Sequence, residues 1–407
     1  MNSIWMITAP CLTALPSVDM SMIYLDNSAT TPLCDAAKKA MQDAMECYGN
    51  PSSLHKVGLD AEHMVKRARE QVCAALGVKG GAGQIYFTAS GTEANNLAIF
   101  GSVYAKERRT GNRIVTTQGE HSSVEMVMQE LEKKGFEVVR IPTVGGVLDM
   151  EFAQKAINKE TLLVSAMMVN NETGALYDLK SLFALAKRAN PGVVTHCDAV
   201  QGFMKAIFSP AAIGADLVTV SSHKIHGPKG VGALYVSADV LRAKKLIPIT
   251  LGGGQESGMR SGTENTIGIA GFGAACAAAS ASLRADLAHM TQLRTYLEKK
   301  LSENSEITLN LPRGNRAPHI VNLTLPDIKS ETMLHYLSAK GICVSSGSAC
   351  SSHGHATSRA LSAFGVSAQA ADCSLRVSLC PANTQEQIDA LYLALDAGVR
   401  ELIRIHK

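Results

Sequence analysis

Residues 217–236 read Leu217-Val-Thr-Val-Ser-Ser-His-Lys-Ile-His-Gly-Pro-Lys-Gly-Val-Gly-Ala-Leu-Tyr-Val236. Two short apolar runs, 217–221 and 232–236, flank a polar centre that holds Lys224. Too short for helices and rich in apolar residues, they predict buried strands. The same arrangement recurs upstream at 84–88, 113–117, 162–169 and 193–197. Helical patterns over 94–108, 123–134 and 179–189 separate several of these runs. Ala61, Val65, Ala68, Val72 and Leu76 also fall at helical spacing, with Gly77 as a natural cap. Strands alternating with helices predict an α/β fold with a mainly parallel sheet flanked by helices. Beyond the uncharged run 266–283 the pattern changes to a smaller α+β unit. Its expected strands are 319–325, 342–345 and 374–379, and its expected helices 331–340 and 385–405. The expected division is a large domain, 34–283, and a small one made of 1–33 and 284–407.

Composition narrows the function classes. The chain has 407 residues, 46% hydrophobic and 18% charged, which excludes disorder and fibrous repeats. A net charge of +3 is too weak to argue for nucleic acid or an anionic membrane as a direct partner. Ten scattered cysteines, most in apolar runs, suit reduced thiols rather than a disulfide framework. No Lys or Arg precedes Lys38, so the basic region of a signal or transit peptide is missing. The run 266–283 is mostly Ala, Gly and Ser and reads as a packed helix. A soluble, cytoplasmic protein is expected.

In open α/β sheets ligands bind beyond the carboxyl ends of strands. Four polar segments occupy such places: Thr88-Ala89-Ser90-Gly91-Thr92-Glu93, Asn170-Asn171-Glu172-Thr173-Gly174, Asp198-Ala199-Val200-Gln201 and Ser221-Ser222-His223-Lys224. The first opens a helix and suits a phosphate held by backbone N–H groups and the helix dipole. No Gly-x4-Gly-Lys-Ser/Thr loop exists, and Gly80-Gly81-Ala82-Gly83 precedes a strand, so nucleotide and dinucleotide sites are not supported. Lys224, where an apolar strand meets a cleft, can form a Schiff base. Asp198 can pair with a protonated ring nitrogen. Taken singly, each reads as a solvated loop charge; with the phosphate turn, they describe the anchors of pyridoxal 5'-phosphate.

Tyr24-Leu25-Asp26-Asn27-Ser28-Ala29-Thr30-Thr31-Pro32, Gly49-Asn50-Pro51-Ser52-Ser53, Ser222-His223-Lys224 and Ser345-Ser346-Gly347-Ser348-Ala349-Cys350 resemble the cysteine desulfurases. These are fold-type I pyridoxal phosphate enzymes of the class-V aminotransferase family, and the Cys350 segment resembles their NifS/IscS-type branch. The resemblance implies Lys224 as the Schiff-base lysine, Asp198 as partner of the ring nitrogen and His121 as the residue stacked on the ring. It gives Gly91, Thr92, Ser221 and His223 to the phosphate, and Asn171 and Gln201 to the region of the ring oxygen. Thr263 would reach the phosphate of a neighbouring subunit, which implies a homodimer. Arg376, with Asn171, would bind the carboxylate of L-cysteine. Cys350, on a long mobile loop, would take the sulfur as a persulfide and pass it to an acceptor protein such as an iron–sulfur scaffold, or to tRNA thiolation.

Cys350, His353 and His355 could also ligate a metal, but no Cys-x2-Cys pair accompanies them and no metal is expected. After Ser378-Leu379 the family commonly has Gly-Arg, whereas this chain has Cys380-Pro381. The alternatives are a selenocysteine lyase or another class-V aminotransferase, and a catalytically silent cofactor-binding subunit. No function is assigned to the first twenty residues.

Overall fold

A computed structural model describes residues 22–106, 111–346, 358–402 and 404. Strand β1 (Ile23–Tyr24) belongs to the smaller unit. The large sheet consists of β2 (Ile85–Thr88), β3 (Arg113–Thr117), β4 (Glu137–Ile141), β5 (Thr161–Met167), β6 (Val194–Asp198), β7 (Leu217–Ser221) and β8 (Gly232–Val236). Their order across the sheet is β2-β8-β7-β6-β5-β3-β4. Strand β8 is antiparallel to both neighbours, and every other adjacent pair is parallel.

Within several strands, neighbouring residues enter opposite cores. Ile114, Leu163, Leu217 and Leu234 pack on one face, and Val115, Val164, Val218 and Ala233 on the other. Burial on both faces explains why these strands read as nearly continuous apolar runs. One polar row crosses the interior: Ser165 Oγ meets His196 Nδ1 at 2.8 Å, and His196 Nε2 meets Thr219 Oγ1 at 3.0 Å. Burial lowers the pKa of His196 to about 4, so this imidazole is a neutral, satisfied core group.

The smaller unit contains β9 (Thr308–Leu309), β10 (Ile320–Thr324), β11 (Ile342–Cys343), β12 (Ser345–Ser346) and β13 (Ser374–Ser378). Four of these form an antiparallel sheet in the order β12-β13-β10-β9, while β1 pairs in parallel with β11. Leu323, Leu375 and Val377 meet Leu337, Leu391 and Leu395 of the covering helices in a separate core, which Leu25 joins. The helix Thr266–Leu301 serves both units. Ile269, Phe272 and Cys276 lie in the first core, and Leu293, Leu297 and Leu301 in the second. The expected boundary after residue 283 falls inside this helix.

The structure corrects three sequence expectations. Strand β4 was not anticipated, because it lies at the sheet edge, is half-buried and carries Glu137 and Arg140. The helix Asp35–Glu46 was not anticipated either; it buries only the small residues Ala37 and Ala44. The single strand expected over 342–345 is two strands, β11 and β12, which pair with different partners. The helix expected to continue to Arg108 is described as far as Lys106.

Candidate active site

The carboxyl ends of β2, β3, β5, β6 and β7 open on one side of the sheet. A cavity of about 300 Å³ lies there, against the smaller unit. Gly91 and Thr92 reach it from the start of the helix Gly91–Lys106, directly after β2. A Cβ on Gly91 would stand 2.9 Å from Val200 Cγ2, so the approach of this helix end needs glycine. Ser221 ends β7, His223 and Lys224 follow in a short turn, and all three line the cavity. Burial, with a smaller effect from Lys224, lowers the pKa of His223 to about 4. Its Nδ1 lies 3.2 Å from Thr30 Oγ1.

Asp198 ends β6 and is almost wholly buried. Its Oδ2 accepts from Asn95 Nδ2 at 2.8 Å, and its Oδ1 from the N–H of Val200 at 3.0 Å. Asn95 also donates to Ser123 Oγ at 2.8 Å, and Ser123 Oγ lies 2.9 Å from His121 Nδ1. His121 caps the helix Ser122–Lys133, and its Nδ1 accepts from the Ser123 N–H at 3.1 Å. That backbone donor assigns the lone pair to Nδ1 and the ring proton to Nε2. Burial, the largest effect, lowers the His121 pKa, which keeps the ring neutral. Beside it, Glu120 is buried, and burial raises its pKa to about 8. Its Oε1 accepts from Thr117 Oγ1 at 2.5 Å and from the Met167 N–H at 2.9 Å.

The N-terminal segment 26–31 closes the site from the other side. Lys224 Nζ donates to the carbonyls of Ser28 at 2.5 Å and Ala29 at 2.8 Å. Gln201 Nε2 donates to the Ser28 carbonyl at 2.8 Å. Arg376, on β13, donates from Nη2 to Asp26 Oδ1 at 2.7 Å and from Nη1 to the Asn171 carbonyl at 3.0 Å. Its Nε is buried and has no protein partner among the described residues.

Ten sequence-predicted residues thus share one cavity: Gly91, Thr92, His121, Asn171, Asp198, Gln201, Ser221, His223, Lys224 and Arg376. Thr263 is not among them; it is exposed, at a separate hollow with Thr88, Glu256 and Arg260. Cys350 lies outside the described residues, as do His353 and His355. The described chain on either side is nonetheless fixed at the cavity rim. Ser345 pairs with Arg376, and Ser358 Oγ donates to Glu172 Oε2 at 2.5 Å.

Sequence reasoning missed Asn95 and Ser123, which join Asp198 to His121, and gave no task to Asp26, Ser28 or Ala29. Asn95 lies one helical turn after Gly91, which was the available signal.

Residues 23–391 match the profile of the class-V aminotransferases. The chain belongs to that family, among its cysteine desulfurases. It is 37% identical over 383 residues to a cysteine desulfurase, IscS, of Dictyoglomus turgidum, covering 93% of this chain and 95% of the relative. A solved NifS-like protein superposes with a TM-score of 0.86 at 34% identity, over 94% of this chain and 100% of the other. A structure described as SspA in complex with cysteine superposes at 0.76 and 30% identity, covering 89% of this chain and 100% of the other. This member of the family is an enzyme.

Proposed function

We propose that the chain uses pyridoxal 5'-phosphate to convert L-cysteine to L-alanine, transferring the sulfur to Cys350. One cavity holds a strand-end lysine, a buried aspartate and an arginine with a buried, unpartnered Nε, and this grouping carries the reading. The donor set fits the cofactor. The helix end at Gly91 and Thr92, with Ser221 and His223, would take the phosphate; Asp198 would face the ring nitrogen. When bound, the cofactor supplies an aldehyde that condenses with amines and a ring that stabilises negative charge at the substrate Cα.

The protein groups divide the remaining work. Asn95 and the Val200 N–H orient the Asp198 carboxylate, which would hold a proton on the ring nitrogen of the bound cofactor. The Lys224 amine is the group placed to take the Cα proton and return it. His121 presents a neutral ring with its proton on Nε2. Arg376, oriented by Asp26, binds the substrate carboxylate through a charge-assisted contact. At Cys350 an S–S bond forms as the substrate Cβ–S bond breaks. Cβ gains a proton, and alanine leaves.

The solved relative described in complex with cysteine supports the choice of substrate. We further propose a cytoplasmic homodimer that delivers persulfide sulfur to an acceptor protein such as an iron–sulfur scaffold. The exposed Thr263 and Leu251 support the dimer, because their loop lies outside the protomer's own cavity. The deciding experiment incubates purified protein with L-cysteine and a reductant and measures sulfide and alanine together. Equal yields are expected. Finding neither product from cofactor-loaded protein would overturn the reading.

A further inference from the structure

A second cavity, of about 290 Å³, lies behind the active site between the long helix, the 204–205 turn and the 379–382 loop. Most of its wall is apolar: Met204, Ile225, Ala275, Ala279, Met290 and Leu379. Lys205 also lines it, although this residue is only 6% exposed. No carboxylate pairs with this amine among the described residues; its hydrogen bond is a long one to Gln201 Oε1, at 3.5 Å. Burial, followed by the nearby Lys224, lowers the Lys205 pKa to about 7. A buried amine facing an apolar cavity either sheds its proton or takes its counter-charge from what binds there.

Three further observations define the site. Cys380 and Pro381, just after β13, form part of the wall. Met204 and His226, both on the wall, have φ of 57° and 65°, backbone strain that the surrounding packing must hold. Charge is also polarised. Lys205 lies on one side with Lys224, which also lines the active-site cavity, while the half-buried Asp286 lines the side formed by the long helix, its Oδ2 accepting from Ser282 Oγ at 2.6 Å.

We propose that this cavity binds a small monocarboxylate with an apolar body, its carboxylate on Lys205 and its carbon skeleton against Met290, Leu379 and Ala279. The volume is at the small end of ligand pockets, which suits a short aliphatic chain. Asp286 repels a second negative charge, so the site discriminates against dicarboxylates.

The test is calorimetric titration of the full-length protein, as purified, with hexanoate and with adipate. Hexanoate should bind saturably at one site, and adipate about tenfold more weakly or worse. Lys205→Met should weaken hexanoate by about tenfold or more, the value of a charge-assisted contact. Ala279→Phe, which adds a ring to the cavity wall, should block the cavity and give the same loss without touching the amine. Arg376→Lys should leave hexanoate binding intact. No saturable binding to the wild type would overturn the proposal, as would unchanged affinity in both Lys205→Met and Ala279→Phe. Loss in Arg376→Lys alone would place the probe in the active-site cavity and overturn it too. The readout is binding rather than turnover, so its failure leaves the desulfurase reading untouched.

Discussion

Glu120 and Cys350 show how much a single side chain decides. Glu120 has its pKa raised from 4.5 to about 8, chiefly by burial. Between those values the folded protein holds a proton that the unfolded chain releases, so Glu120 makes stability fall as pH rises through that window. Glu120→Gln keeps a neutral, similarly sized group and removes the titration. In urea unfolding at pH 5 and pH 8, the variant should therefore gain on the wild type at the higher pH. A pH-independent difference would show that Glu120 is ionised in the fold. Cys350→Ser tests the sulfur step. The anchors proposed for the cofactor lie elsewhere, so cofactor binding should survive while sulfide release falls on the order of a hundredfold. Cys343→Ser, on the half-buried β11, should instead cost stability. Retained desulfuration in Cys350→Ser with loss in Cys343→Ser would identify the wrong nucleophile.

At the scale of elements, the site depends on how closely the first turn of the helix Gly91–Lys106 sits on β8. A Cβ on Gly232 would meet the Ser90 carbonyl carbon at 2.5 Å, with no side chain there to yield. Gly232→Ala should cost about 1–3 kcal/mol and weaken cofactor binding, because the helix end must move. Gly83→Ala meets nothing within 4 Å and should be silent in the same melting and cofactor-titration assays. The buried strands were legible because double-sided burial writes an apolar run into the chain. Strand β4 was not, because an edge strand with Glu137 and Arg140 has no such run. The split at Val344 was illegible for another reason: a strand that changes partner keeps the same local pattern. Asn95 and Ser123 look like ordinary helical polar residues until packing sets them between Asp198 and His121, and Lys205 likewise becomes distinctive only through the cavity it faces.

At the scale of the molecule, the exposed loop 247–263 bears on assembly. Leu251 is 80% exposed and shares this loop with Ile249 and Thr263. If the loop packs on a second copy, Leu251→Glu should weaken the dimer by about tenfold or more in sedimentation velocity, the effect of charging a buried contact. An unchanged mass would exclude this loop from the interface. The helix Thr266–Leu301 has a different kind of consequence. It is roughly 54 Å long and continuous, and its two halves are seated in separate cores. Neither core can melt without withdrawing the support of the other, so heat should dismantle the chain in one step. A nick in this rod should not liberate a folded half. Recombination between relatives faces the same constraint: a crossover within the rod joins two packing faces that were never fitted to each other, so the halves are inherited as one piece.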